Sequence, residues 1–270
     1  MKNTKLKLSM IAFSLAALVG CNEGGNQNQS QANTTVAQKA SVSQPSVTKN
    51  TRTEFRYDWL SGVKVTGTVE ESERQDKNFY FVIDGSGSMD ASSCEGDGNK
   101  IDIAKRAVVD YSKTLGDSNI GLVVFDSNGI NERFSLSKIN HSEFRNQVNS
   151  IVAGSGTPLE SSIKIAYDKL KSQASMQGSN GEYNLVIVTD GEANSGEDPT
   201  SIVNEIGYKS PVNITTIGFC IGDRHSLNNK ELVHYYAASD YTSILAGLKE
   251  VQSEGENISD EEFVSLLDSL

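Results

Sequence analysis

The stretch from Phe79 to Asp90 reads FYFVIDGSGSMD. Its first five residues are apolar and β-forming, the signature of a strand buried on both faces. The second half holds two glycines, two serines, a methionine and two aspartates, a composition that stops a strand and turns the chain. A buried strand that ends on Asp84, Ser86 and Ser88 delivers three oxygen-bearing side chains, spaced two apart, to one place.

The same kind of apolar run recurs outward from this point, as IGLVVF (120–125), NLVIV (184–188) and ITTIGF (214–219). INERFSLSKI (130–139) reads as an edge strand, and LVHYYAA (232–238) as a last strand before the helix SILAGLKEV. Amphipathic helices are expected between them. One has Ile101, Ala104, Val108, Tyr111 and Leu115 on a single stripe with Asn99 placed to cap it; another has Leu159, Ile163, Ala166 and Leu170; a third covers His141 to Ile151. Alternating strands and helices predict an α/β fold, doubly wound, with a mainly parallel central sheet and helices on both faces. In such folds ligands bind outside the carboxyl ends of the strands, where Asp84 and Asp190 both arrive.

Three separated segments therefore meet at one edge: Asp84-Gly-Ser86-Gly-Ser88, the turn GSGTPL with Thr157, and VTDGE with Asp190. Each has a plainer role by itself. Asp-Gly-Ser-Gly is turn chemistry whose glycines tolerate positive φ, Thr157 to Glu160 is a capping box with proline at the first helical position, and Asp190-Gly191 is a turn. Together, in order, they resemble the metal-ion-dependent adhesion site of von Willebrand factor type A domains, over roughly residues 77 to 254. The resemblance implies that Ser86, Ser88 and Thr157 hold a divalent cation directly while Asp84 and Asp190 act mostly through water. It also implies that the ion bridges to an acidic side chain of a protein ligand. Hydroxyl and carboxylate oxygens without histidine or cysteine suit Mg²⁺ or Mn²⁺, and Ca²⁺ less well. Met89, Asp90, Ser155, Glu192 and Asn194 are rim candidates by adjacency.

Competing chemistries lack their residues. Position 90 is aspartate where a dinucleotide loop needs its third glycine, and no Gly-Lys-Ser/Thr of a P-loop is present. Neither Ser86 nor Ser88 sits in the Gly-x-Ser-x-Gly frame of a hydrolase, although His225 could reach the same edge. The expected role is a binding module and not an enzyme. An assembly or envelope-maintenance subunit that holds a periplasmic partner is the alternative.

Both termini add expectations of their own. Lys2, Lys5 and Lys7 precede the apolar run LSMIAFSLAALV (8–19), which is short for a membrane span and reads as a secretory signal. Leu18-Val19-Gly20-Cys21 resembles the lipobox of bacterial lipoproteins, which implies a signal over 1–20, a lipid anchor on Cys21 and a place in the bacterial cell envelope. By the same resemblance Asn22 favours the outer membrane. Residues 21–52 read as a polar tether, too poor in apolar residues to be expected to fold. Residues 53–77, with Trp59 and the alternating VKVTGTV, read as a strand or hairpin leading into the domain over 78–254. Residues 255–270 read as an acidic amphipathic helix capped by Ser259 and Glu262, packed back on its own domain or docked into a partner's groove.

Removal of the three signal lysines lowers the formal net charge from −11 to −14, which disfavours nucleic acid as a partner. Cys94 and Cys220 both fall near the carboxyl edge. In an oxidising compartment a disulfide between them is the economical reading, and two free thiols are the alternative.

Overall fold

A computed structural model describes residues 59–64, 67–95 and 98–253. The signal segment, Cys21, the polar tether and the acidic C-terminal segment lie outside these residues. Among the described residues six strands and five helices follow one another: β1 (Lys77–Asp84), α1 (Lys100–Lys113), β2 (Asn119–Asp126), β3 (Gly129–Lys138), α2 (His141–Asn149), α3 (Leu159–Met176), β4 (Glu182–Thr189), α4 (Pro199–Lys209), β5 (Asn213–Phe219), β6 (Val233–Ala238) and α5 (Tyr241–Ser253).

The strands form one sheet in the order β3-β2-β1-β4-β5-β6. All neighbours are parallel except β3, which returns antiparallel to β2 at the edge. The sheet is doubly wound, and its order reverses between β1 and β4. This is the switch point at which crevices open in such folds.

Alternation along the strands divides the core into two layers. Phe79, Phe81 and Ile83 of β1 face one layer, with Ala104, Val108 and Tyr111 of α1, Phe144 of α2 and Ile244 of α5. Tyr80 and Val82 face the other, with Ile163, Ala166 and Leu170 of α3 and Val203 and Ile206 of α4. A strand whose both faces are covered must be apolar at every position, which is why FYFVI shows no polar alternation. Tyr80 needs a gap in its neighbour. A Cβ on its register partner Gly121 would lie 2.4 Å from the ring, and the phenol donates to Glu132 Oε1 at 2.9 Å.

The expected strand over 63–69 is not formed among the described residues, which run from a turn at Trp59 to a short 3-10 helix at Glu71–Glu73. Trp59 at its start is buried in the α3/α4 layer, stacked on Tyr167 and edge-on to Tyr183, so the chain enters this segment over a helix-covered face of the sheet.

Candidate metal centre

β1 ends at Asp84 and β4 at Thr189, so Asp84 and Asp190 stand on adjacent strands at the switch point. The Asp84 side chain is fully buried. Its Oδ1 accepts the Ser86 amide at 2.7 Å, and its Oδ2 accepts the Thr189 hydroxyl at 2.6 Å. Burial pushes its carboxyl above the usual carboxylate range; the donors at Ser86 and Thr189 oppose that shift, and the neighbouring charge of Asp190 adds to it.

Beyond Ser86 the chain enters a 3-10 turn, Gly87–Asp90, that places Ser86 Oγ and Ser88 Oγ 2.9 Å apart. Ser88 Oγ donates to Asp190 Oδ1 at 2.6 Å. The other oxygen of Asp190 receives Lys100 Nζ at 2.7 Å, in an ion pair whose carboxylate has no exposed surface. Thr157 lies two residues past Ser155, whose carbonyl accepts the Gly87 amide at 3.1 Å, and is 8% exposed. Its backbone is clamped by one residue: Asn194 Oδ1 accepts the Thr157 amide at 2.8 Å, and the Asn194 amide donates to the Thr157 carbonyl at 2.9 Å. Glu197 fixes the next turn by accepting both the amide and the hydroxyl of Ser161.

The structure thus brings Asp84, Ser86, Ser88 and Asp190 into one hydrogen-bonded set, with Thr157 held beside it by Asn194. Several local expectations change. Gly85 and Gly87 do not adopt positive φ. Gly85 is required by close approach, since a Cβ there would lie 2.9 Å from Asp126 and from Ile151. The capping box of Thr157 is not made: α3 begins at Leu159 with Pro158 as its N-cap residue, and the Thr157 hydroxyl makes no hydrogen bond among the described residues. Asn99 occupies the N-cap position of α1, but its side chain donates to Asp90 Oδ1 at 3.0 Å instead of capping.

Of the rim candidates, Met89 is fully buried in the α1 layer and cannot meet a partner. Glu192 is exposed, with its carboxylate taken by the amide and hydroxyl of Ser226. Asp90 and Ser155 remain exposed, and Ser155 holds a left-handed φ of 71°. His225 contacts the Gly191 carbonyl through Nε2 at 2.8 Å and accepts the Leu227 amide on Nδ1 at 3.0 Å. Both ring nitrogens are therefore engaged by backbone, and neither faces Ser86 or Ser88.

Lys100, Thr189 and Asn194's clamp on Thr157 were not foreseen. Lys100 opens an amphipathic helix and Thr189 closes a strand, so neither position carries a sequence signal of its own. Cys94 and Cys220 form a disulfide with a Cα–Cα distance of 5.7 Å, tying the loop after the site to the end of β5.

The donors are hard oxygens. Two of them, Ser86 Oγ and Ser88 Oγ, are 2.9 Å apart. That separation is the cis edge of an octahedron with arms of about 2.1 Å, as for Mg²⁺. Ser88 sends its proton to Asp190, and among the described residues nothing donates to the Thr157 hydroxyl, which leaves hydroxyl lone pairs for a cation. The residues present fit a small divalent ion in chemistry and spacing. Among the described residues there is no cluster of three or more His, Cys, Asp or Glu able to hold a metal, so any such site depends on these hydroxyls.

Comparison with known proteins agrees with the topology. The chain is 26% identical over 168 residues to the uncharacterized protein YwmC of Bacillus subtilis (strain 168), an alignment covering 56% of this chain and 71% of that protein. It superposes with a TM-score of 0.53 on a von Willebrand factor type A protein from Catenulispora acidiphila, at 16% identity, covering 68% of this chain and 44% of that one. Proximal thread matrix protein 1 of the mussel byssus, in a form with a zinc-occupied MIDAS motif, gives a TM-score of 0.50 at 16% identity, covering 66% and 47%. The chain spans less than half of either solved structure. Residues 78–254, from the second residue of β1 to just past α5, match the profile of the von Willebrand factor type A domain. With a sheet order, a switch point and a sequence match that agree over most of its length, the chain belongs to the von Willebrand factor type A domain family.

Proposed function

We propose that this protein is a binding module that uses a divalent cation, held by Ser86, Ser88 and Thr157, to capture a protein ligand through an acidic side chain. The observation that carries this reading is the hydroxyl pair of Ser86 and Ser88, 2.9 Å apart above a fully buried Asp84, with Asp190 accepting the Ser88 proton. Asp84 and Asp190 orient these oxygens from behind. An ion with neutral inner ligands keeps most of its charge and offers open positions to an incoming carboxylate.

Binding rather than turnover is supported by the environment of the serines. Ser88 donates to a carboxylate already paired with Lys100, and His225 is committed to backbone groups. Presentation from the bacterial envelope on a lipidated Cys21 belongs to the same proposal. It rests on Lys2, Lys5, Lys7 and Leu18-Val19-Gly20-Cys21, and labelling with a palmitate analogue should be lost in Cys21→Ala.

The test is capture from the native envelope with wild type and Asp84→Ala, each in Mg²⁺ and in EDTA, with Mn²⁺ and Zn²⁺ as further ions. A partner retained only by wild type with metal is the expected result. A partner held equally under all conditions would refute metal-bridged binding, and turnover of a small substrate without a captured partner would favour an enzyme.

A further inference from the structure

We propose that Lys100 is a built-in counter-cation of the metal centre: its ammonium neutralises Asp190 in the metal-free protein and opposes the divalent ion, holding metal affinity low. This inference rests on the metal-binding reading above. Lys100 Nζ lies 2.7 Å from Asp190 Oδ2, while Ser88 occupies Oδ1 of the same carboxylate. One carboxylate therefore connects the lysine to a metal-binding hydroxyl. The side chains of Lys100 and Asp190 are 15% and 0% exposed, so bulk water and salt screen the ammonium poorly.

The position of the lysine is costly in isolation. Lys100 is the first residue of α1, and a cation at a helix N-terminus opposes the helix dipole. The chain nevertheless fixes it there. Its amide donates to the Ala91 carbonyl at 3.0 Å, Ser92 bridges to Asn99, and Cys94 in the same loop is bonded to Cys220. The loop leaves the site at Ser88 and returns to it at Lys100 as a closed excursion.

Charge counting gives the consequence. Asp84 and Asp190 are two buried carboxylates, and Asp84 is satisfied by uncharged donors. With Lys100 the metal-free centre carries a single net negative charge, which a divalent ion overcompensates. Without Lys100 it carries two, which the ion matches. The lysine thus lets the fold persist without metal and leaves the loaded site net positive, suited to an anionic ligand.

The experiment is titration of MnCl₂ and MgCl₂ into wild type, Lys100→Met and Lys100→Arg by calorimetry at low salt, with the melting temperature measured in EDTA and in Mn²⁺. Lys100→Met should bind Mn²⁺ about tenfold tighter than wild type and show a larger metal-induced rise in melting temperature, while Lys100→Arg stays near wild type. Lys100→Gln, which keeps a donor to Asp190 without the charge, gives the same comparison should the methionine variant not fold. Equal or weaker binding by the uncharged variants, with wild type still binding metal, would overturn the role of Lys100 alone. Absence of divalent binding in every variant would overturn both this inference and the metal-binding function.

Discussion

Two uncharged donors, the Ser86 amide and the Thr189 hydroxyl, satisfy the buried carboxylate of Asp84. Such a charge is held in place at the expense of stability, because burial penalises the ionised form. Asp84→Asn should therefore melt at or above the wild-type temperature in EDTA while losing the stabilisation by Mg²⁺, and a lower melting temperature in EDTA would contradict this account. Asn194 acts differently, since it holds Thr157 through the backbone and not through the hydroxyl. Asn194→Ala removes the acceptor of a partly buried amide and should cost about 1–2 kcal/mol in chemical denaturation, with weaker Mn²⁺ binding. Asn194→Asp, which keeps the acceptor, should recover most of both. At this scale the gathering of five oxygen-bearing residues, Asp84, Ser86, Ser88, Thr157 and Asp190, was legible because their residue types and order form a pattern. Lys100 and Asn194 were not legible in their roles. A lysine at the start of an amphipathic helix and an asparagine after Asp-Gly are ordinary residues whose role appears only when strands distant in sequence are brought side by side.

Among the elements, the helices show how far a local signal carries. The stripes of α1 and α3 are buried as their periodicity requires, from Ile101 to Tyr111 and from Leu159 to Leu170, and Leu115 is buried just past the end of α1. The caps are less faithful, because a cap is one hydrogen bond and a nearby polar partner can divert it, as Asp90 does to Asn99. The described residues 63–64 and 67–69 form no strand, for a related reason: alternation describes a surface half exposed, and says nothing of whether an edge is free to pair. α5 supplies a firm case. Asp240 Oδ1 accepts both the amide and the hydroxyl of Ser243, and these hydrogen bonds hold its carboxyl below the usual carboxylate range. A lowered folded value means stability that is present above the unfolded carboxylate value and is lost as pH falls through the folded one. Asp240→Ala should thus cost about 1 kcal/mol at neutral pH, typical of a lost N-cap. The gap between variant and wild type should close below about pH 4, the ordinary aspartate range, in denaturation curves recorded across pH.

For the whole molecule, the doubly wound sheet was legible because covered strands are apolar throughout and alternate with amphipathic helices. The order of the strands was not, as nothing local tells β1 to lie between β2 and β4. That order makes the site: Ser88 and Asp190 are 102 residues apart in sequence and joined by a 2.6 Å hydrogen bond. It also places Tyr80 beside Gly121, so Gly121→Ala should destabilise the fold by about 1–3 kcal/mol through overpacking, measured as a shift in denaturation midpoint at unchanged slope. The Cys94–Cys220 disulfide, with its 126-residue separation, encloses β2 to β5 and α1 to α4 in a covalent ring. A ring differs from a thread in what one cut does to it. A protease that cleaves the exposed Ser195–Gly196 bond would open the backbone without releasing either piece, so the nicked protein should run as one species on a non-reducing gel and as two once thiols are added. In an environment rich in proteases, that first cut would leave β5 and β6 tethered to the piece that carries β1 and β4, and the sheet that gathers the oxygens still whole.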